Sequence, residues 1–161
     1  VFRVLNHYSE FNSTQPGTPY ILASTLKAEF PQVEKAANAQ YVRSLKLKLD
    51  DEFINVMGAV ATSSDIFDIF TIPLIGNPDG KKLLDDRNSL VLSKEIAEKF
   101  FPDENPTGKG IVGLVNNEEQ MFTITGGFED IPVNSTFRAK CFVNGFWTIE
   151  PINTAFNPTD A

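Results

Sequence analysis

The clearest pattern in the chain is the strict alternation of "RSLKLKLD", in which Leu45, Leu47 and Leu49 share one side while Ser44, Lys46 and Lys48 share the other. A period of two predicts a strand with one wet face. The run "FINVMGAVAT" that follows keeps Ile54, Val56 and Val60 in phase and predicts a second extended segment. "SLVL", beginning at Ser89, reads as another strand. "GIVGLV" and "QMFTITGGF" read as a hairpin closed around Asn116 and Asn117, residues that tolerate a left-handed turn. In its second arm Phe122, Ile124 and Phe128 fall in one phase and Thr123 and Thr125 in the other. Residues 1–8 predict a first strand, and "FRAKCFVNGFW" a last one before a tail rich in Pro, Asn and Thr.

Three stretches change to the helical period. After a Ser-, Thr-, Pro- and Gly-rich loop over 9–18, Thr18 offers a capping hydroxyl and Pro19 suits a first helical position. Leu22, Leu26 and Phe30 then recur at i, i+4 and i+8, with Ala23 widening the stripe, until Pro31 ends the helix. Ser63 or Ser64 can cap the short turn "SDIFDIF", which points Ile66, Phe67 and Phe70 inward. Ser93 caps a third helix whose stripe is Ile96, Ala97, Phe100 and Phe101, stopped by Pro102. "GNPDG", Gly76 to Gly80, is a turn by composition. Mostly antiparallel strands with three helices point to an α+β fold in two packed layers.

With 161 residues the chain holds one domain or two small subdomains. Hydrophobic residues at 42% and charged residues at 22% are ordinary for a folded protein, while 14 Phe against one Trp supply unusual aromatic area. A formal net charge of -7 argues against nucleic acid, whose phosphates need a basic face. The single cysteine, Cys141, excludes an intrachain disulfide, and the single histidine, His7, excludes a two-histidine zinc site. No stretch approaches the roughly 18 to 20 apolar residues that span a bilayer. The chain opens on "VFRVL" with neither Met nor signal peptide, as a piece of something longer would.

Candidate chemistry is weak throughout. Gly108-Lys109 resembles the end of a phosphate loop, but the residue five before Gly108 is Asp103, Gly110 follows the lysine, and a helix precedes where a strand is required. Ser24 and Lys27 have the Ser-x-x-Lys spacing of penicillin-recognising enzymes, yet lie mid-helix without the partner motifs. His7 has no evident relay partner. Asp50-Asp51, Asp85-Asp86 and Glu118-Glu119 fall in turns, where carboxylates are solvated or cap the next element. The sequons at Asn12 and Asn134 are too common to carry weight. No catalytic, cofactor-binding or metal-binding residue is assigned.

Several segments, taken together and in order, are specific. They are "F-x-x-F-x-x-P-L-x-G" at Phe67–Gly76, "VLSKEIAEKFF" at Val91–Phe101, "P-x-GK" at Pro106–Lys109 and "DIP-x-NS" at Asp130–Ser135. With "TPYILASTLKAEFPQVEKA" they resemble the MacB-like periplasmic core domain of FtsX/MacB-type ABC transporter permeases over residues 18–137. The sequence departs from the family's usual pattern at Pro102, Thr107 and Gly127, and after Trp147 no match is found. The resemblance implies a two-lobed domain, with a porter-like β-α-β lobe from residues 1–50 and 114–161 and an inserted lobe from 51–113. It also implies an extracytoplasmic position in an inner-membrane protein, a second permease copy, a cytoplasmic ABC ATPase acting through membrane helices, and an adaptor or outer-membrane protein as a candidate further partner. The expected role is relay of ATP-driven motion without chemistry or cofactor. A periplasmic module binding a ligand or peptide is the alternative, and a carboxylate-dependent hydrolase the third.

Overall fold

A computed structural model describes residues 1–76, 82–115, 117–135 and 137–148. The strands are β1 (Asn6–Tyr8), β2 (Ser13–Gln15), β3 (Ala39–Tyr41), β4 (Leu45–Leu49), β5 (Glu52–Asn55), β6 (Ala59–Thr62), β7 (Leu74–Ile75), β8 (Ser89–Ser93), β9 (Gly110–Val115), β10 (Glu118–Phe128) and β11 (Cys141–Asn144). The α-helices are α1 (Leu22–Glu29), α2 (Asp65–Ile69) and α3 (Lys94–Phe100). Among the described residues, nine strands form one mixed sheet in the order β3-β6-β11-β8-β10-β9-β4-β5, with β7 also on β10. Two of its pairings, β8 with β10 and β6 with β11, are parallel, and the rest are antiparallel. This is the expected α+β class.

Strand β10 joins the two halves of the sheet. Its first half, Glu118 to Thr123, pairs with β9, and its second, Thr123 to Phe128, pairs with β8. The alternation of the central strands divides the core between the two faces. Leu90 and Leu92 of β8, Cys141 and Val143 of β11, and Ala59 and Ala61 of β6 pack on the side of α3, with Leu45, Leu47, Ile96, Phe100, Phe122 and Ile124. Their neighbours Val91, Phe142 and Val60 face the other side, toward α2 and Leu83 and Leu84. There Phe142 is ringed by aromatics, with Phe128 at 5.0 Å, Phe67 edge-on at 5.3 Å and Phe137 at 6.0 Å. Such contacts explain where part of the large Phe content goes.

Several local expectations need correction. The first strand is only Asn6–Tyr8; it makes a hairpin with β2, inside the expected loop, and stands apart from the large sheet. The helix expected from Thr18 begins at Leu22 with no side-chain cap, and Phe30 is 49% exposed instead of packed. The run "FINVMGAVAT" is not continuous. Gly58 adopts φ +82° where a Cβ would meet the Arg138 carbonyl at 3.1 Å, so the chain turns there. Its two halves, β5 and β6, consequently lie at different places in the sheet, on β4 and between β3 and β11. Phe70 is not fully inward; it remains 38% exposed and stacks on Phe137 at 5.5 Å. The last strand is confined to Cys141–Asn144.

The phase of β10 is the most instructive correction. Register slips between Ile124 and Gly126 against β8, leaving Thr125 as an extra residue whose hydroxyl donates to the Leu83 carbonyl at 2.6 Å. A one-residue bulge moves everything beyond it to the other face. Phe122 and Ile124 therefore join the α3-side core while Phe128 joins the α2-side core. Other expectations hold as read: Leu45 and Leu47 are buried, Ser93 accepts from the Ile96 amide at 3.4 Å as an N-cap, and Asn117 turns the β9-β10 hairpin at φ 69°. The turn "GNPDG" beyond Gly76, Asn116 and the tail from residue 149 lie outside the described residues.

Candidate functional site

The residues singled out for chemistry are scattered and structurally engaged. Lys109 pairs with Glu104 and lies 5.3 Å from the Phe101 ring, while Gly108 (φ 88°) donates its amide to the Ile124 carbonyl at 2.7 Å. Gly108-Lys109 is thus a helix-to-strand turn stitched to β10. On α1 the Ser24 hydroxyl donates to the Ile21 carbonyl at 2.8 Å, and Lys27 reaches away to Asp65. His7 Nδ1 lies 2.9 Å from the Thr14 hydroxyl in the exposed β1-β2 hairpin. Asp50 sits in the tight turn between β4 and β5 at φ 53°, and Asp85 accepts from the Ser64 hydroxyl at 2.9 Å. Asn12 occupies a left-handed turn, and Asn134 an exposed one. Cys141 is wholly buried, and that burial pushes its thiol up to about 12, far from reactivity. Among the described residues no group of three or more His, Cys, Asp and Glu is placed to hold a metal.

The motif residues, by contrast, converge. Phe67 packs edge-on against Phe142; Pro73 accepts the Glu129 amide at 2.8 Å; Leu74 and Ile75 then pair with β10. "VLSKEIAEKFF" ends β8, caps α3 and supplies its buried stripe. In "DIP-x-NS" the Ser135 hydroxyl donates to the Phe137 carbonyl at 3.0 Å and accepts the Phe137 amide at 3.2 Å. Asp130 lies 3.6 Å from Lys140, which also bonds Glu95 on α3. The Glu95 hydrogen bond leads the interactions that raise the Lys140 pKa. Each motif thus joins a loop to the middle of the sheet, and Gly127, the departure on β10, fits Ile75 at an ordinary 3.7 Å from where a Cβ would be.

A cleft of about 340 Å³ lies between α1, the end of β6 and the start of the 3-10 turn Gly145–Thr148. Tyr20, Ser24, Lys27, Thr62, Asp65 and Asn144 are among its walls. Thr62 is buried, and among the described residues its hydroxyl has no hydrogen-bond partner. In its wall Lys27 Nζ meets Asp65 Oδ2 at 2.5 Å, and next to that pair Lys35 Nζ meets Asp68 Oδ2 at 2.5 Å and lies 3.8 Å from Asp65. The Asp68 hydrogen bond is the main influence raising the Lys35 pKa. Of Ser63 and Ser64, the two candidate caps of α2, Ser64 takes the cap position but makes no capping bond; it accepts the Leu84 amide at 3.0 Å and donates to Asp85, tying α2 to the loop before β8. Sequence reading missed this cleft because its walls come from segments up to 125 positions apart, as Tyr20 and Gly145 are. The spacing of Asp65 and Asp68 on one helical turn was its sole local signal.

Comparison with known proteins gives the pattern a context. The MacB-like periplasmic core domain family matches residues 1–156. The chain belongs to that family. This makes it an extracytoplasmic domain of the ABC-permease class, and among the described residues no helix is long and apolar enough to cross a membrane. A Porphyromonas gingivalis domain described as part of a permease protein superposes with a TM-score of 0.62 at 24% identity, over 84% of this chain and 60% of that one. The periplasmic region of MacB from Actinobacillus actinomycetemcomitans gives 0.54 at 16% identity, over 81% of this chain and 56% of that one. At these identities the likeness is one of fold. The chain spans little more than half the length of these solved relatives. Comparison with curated proteins finds no significant match.

Proposed function

We propose that this MacB-like core domain is a non-catalytic mechanical relay, carrying ATP-driven motion from the membrane part of its permease to partners outside it. The observation that carries the reading is the knitting of the motif loops into a sheet packed on both faces, a body stiff enough to transmit displacement. Leu45 and Phe122 of the porter-like lobe share one core cluster with Leu90 and Ile111 of the inserted lobe 51–113, so in this reading the lobes move together. A second permease copy, a cytoplasmic ATPase and an adaptor or outer-membrane protein are the partners it calls for. In the parent transporter, replacing residues 1–161 by a short flexible linker is expected to leave ATP hydrolysis in place and abolish transport. Transport surviving that replacement overturns the relay.

One observation favours a second reading. The cleft beside α1, walled in part by Tyr20, Lys27, Asp65 and Asn144, suits a small polar ligand or a peptide end. A ligand at 100 times its Kd stabilises by about 2.7 kcal/mol. Thermal-shift screening of the isolated domain against amino acids, short peptides and sugars therefore reads this directly, and a silent screen removes it.

A further inference from the structure

Helix α1 differs from α2 and α3 in having no fully buried residue. Leu22, Ala23 and Leu26 are half-buried, and Ile21 and Phe30 at its ends are exposed. Polar tethers do much of the holding. At the N-terminal end the Asn38 amide donates to the Tyr20 carbonyl, and the Tyr20 hydroxyl lies 3.0 Å from where a Cβ on Gly145 would stand. At the C-terminal end Lys27, and Lys35 in the segment that follows, converge on Asp65 and Asp68 in the first turn of α2. Asp65 is the pivot, with a side chain only 17% exposed between two ammonium groups.

We propose that residues 20–35 form a strap over the polar cleft, opening independently of the sheet and held shut by an electrostatic clasp of Lys27 and Lys35 on Asp65 and Asp68. Opening breaks few apolar contacts, which is the signature of a segment with low local stability. Closing needs the ion pairs, whose lysine heads remain in water and are therefore screened by salt. In the open state Thr62 and Ser63 at the end of β6, and Asn144 beyond it, lose their cover. The proposal concerns the domain alone and stands whether or not the relay reading does.

Hydrogen exchange read by mass spectrometry tests it. The amides of Thr25 and Phe30, bonded to the Ile21 and Leu26 carbonyls, report on the strap, and the α3 amides serve as the internal control. In the wild-type domain the strap is expected to exchange faster than α3, and faster again when NaCl is raised from 50 to 500 mM. The double substitution Lys27→Met, Lys35→Met keeps the aliphatic stems and removes both charges. It should speed strap exchange about five-fold at low salt, leave α3 unchanged and abolish the salt response. Strap and α3 exchanging at one common rate, or strap exchange indifferent to salt, overturns the proposal. If the double variant fails to fold, the wild-type salt series decides the matter by itself. Gly145→Ala, which crowds Tyr20, should loosen the same amides.

Discussion

The centre of the sheet and the α1 region are built from similar apolar residues to opposite ends. All five residues of β8 and the first three of β11 are buried, and their side chains are packed on both faces. Helix α1, with Leu22, Leu26 and Phe30 in a regular stripe, buries none of its residues completely. The β1-β2 hairpin before it is equally superficial, and Phe2 is 98% exposed. Stability therefore follows the number of layers a residue lies between more than its hydrophobicity. The middle of the molecule is packed on both faces, and the region around α1 is attached at its surface.

The sharpest contrast is kinetic. Cys141 sits in the packed middle, so its thiol is expected to alkylate at pH 8 on the order of a thousand times more slowly than in the unfolded chain, whereas a cysteine placed at Ala28 should react freely. The same thiol supplies a pH test. Its pKa is raised from 9.0 to about 12 in the folded chain, so the folded state holds the proton more tightly. Its contribution to stability is complete below pH 9 and is lost as pH climbs toward 12, a slope that Cys141→Ala should flatten in urea titrations.

Equilibrium unfolding in urea separates the two regions next. Phe142→Ala, in the fully buried aromatic cluster, should cost about 3 to 5 kcal/mol, and Phe30→Ala on the half-exposed stripe well under about 1. Comparable losses at the two positions would erase the distinction. Gly113→Ala probes packing density in the packed middle, because the new methyl would stand 3.0 Å from the Phe122 ring and 3.2 Å from Leu47. A loss of about 1 to 3 kcal/mol in the same assay is expected. Ser93→Ala, which removes the α3 cap, should lower stability by about 1 kcal/mol.

Elements whose signals are local were legible in the residues themselves. Leu45 and Leu47 alternate into the core, Ser93 caps the helix carrying Ile96 and Phe100, and Asn117 makes the left-handed turn of the β9-β10 hairpin. The family resemblance was legible too, since its motifs are short stretches in a set order. The cleft and its clasp were not. Lys27 finds Asp65 across 38 positions, and Asn144 donates to the Leu84 carbonyl across 60. Residue order leaves the α2 cap open between Ser63 and Ser64; the structure puts Ser64 at that position, and its hydroxyl bonds the Leu84 amide and Asp85, brought near only by folding.

By itself, the order of residues determined the α+β class, most of the periodic segments and membership of a permease-domain family, because helix caps, alternation and turn chemistry act between residues a few positions apart. Tertiary structure alone decided that Gly58 splits one apolar run between two parts of the sheet, that a bulge at Thr125 sends Phe128 to the opposite core, and that α1 lies at the surface. These outcomes depend on which distant strand offers a partner edge or face. That choice is made by the packing of the whole chain, and no window of neighbouring residues contains it.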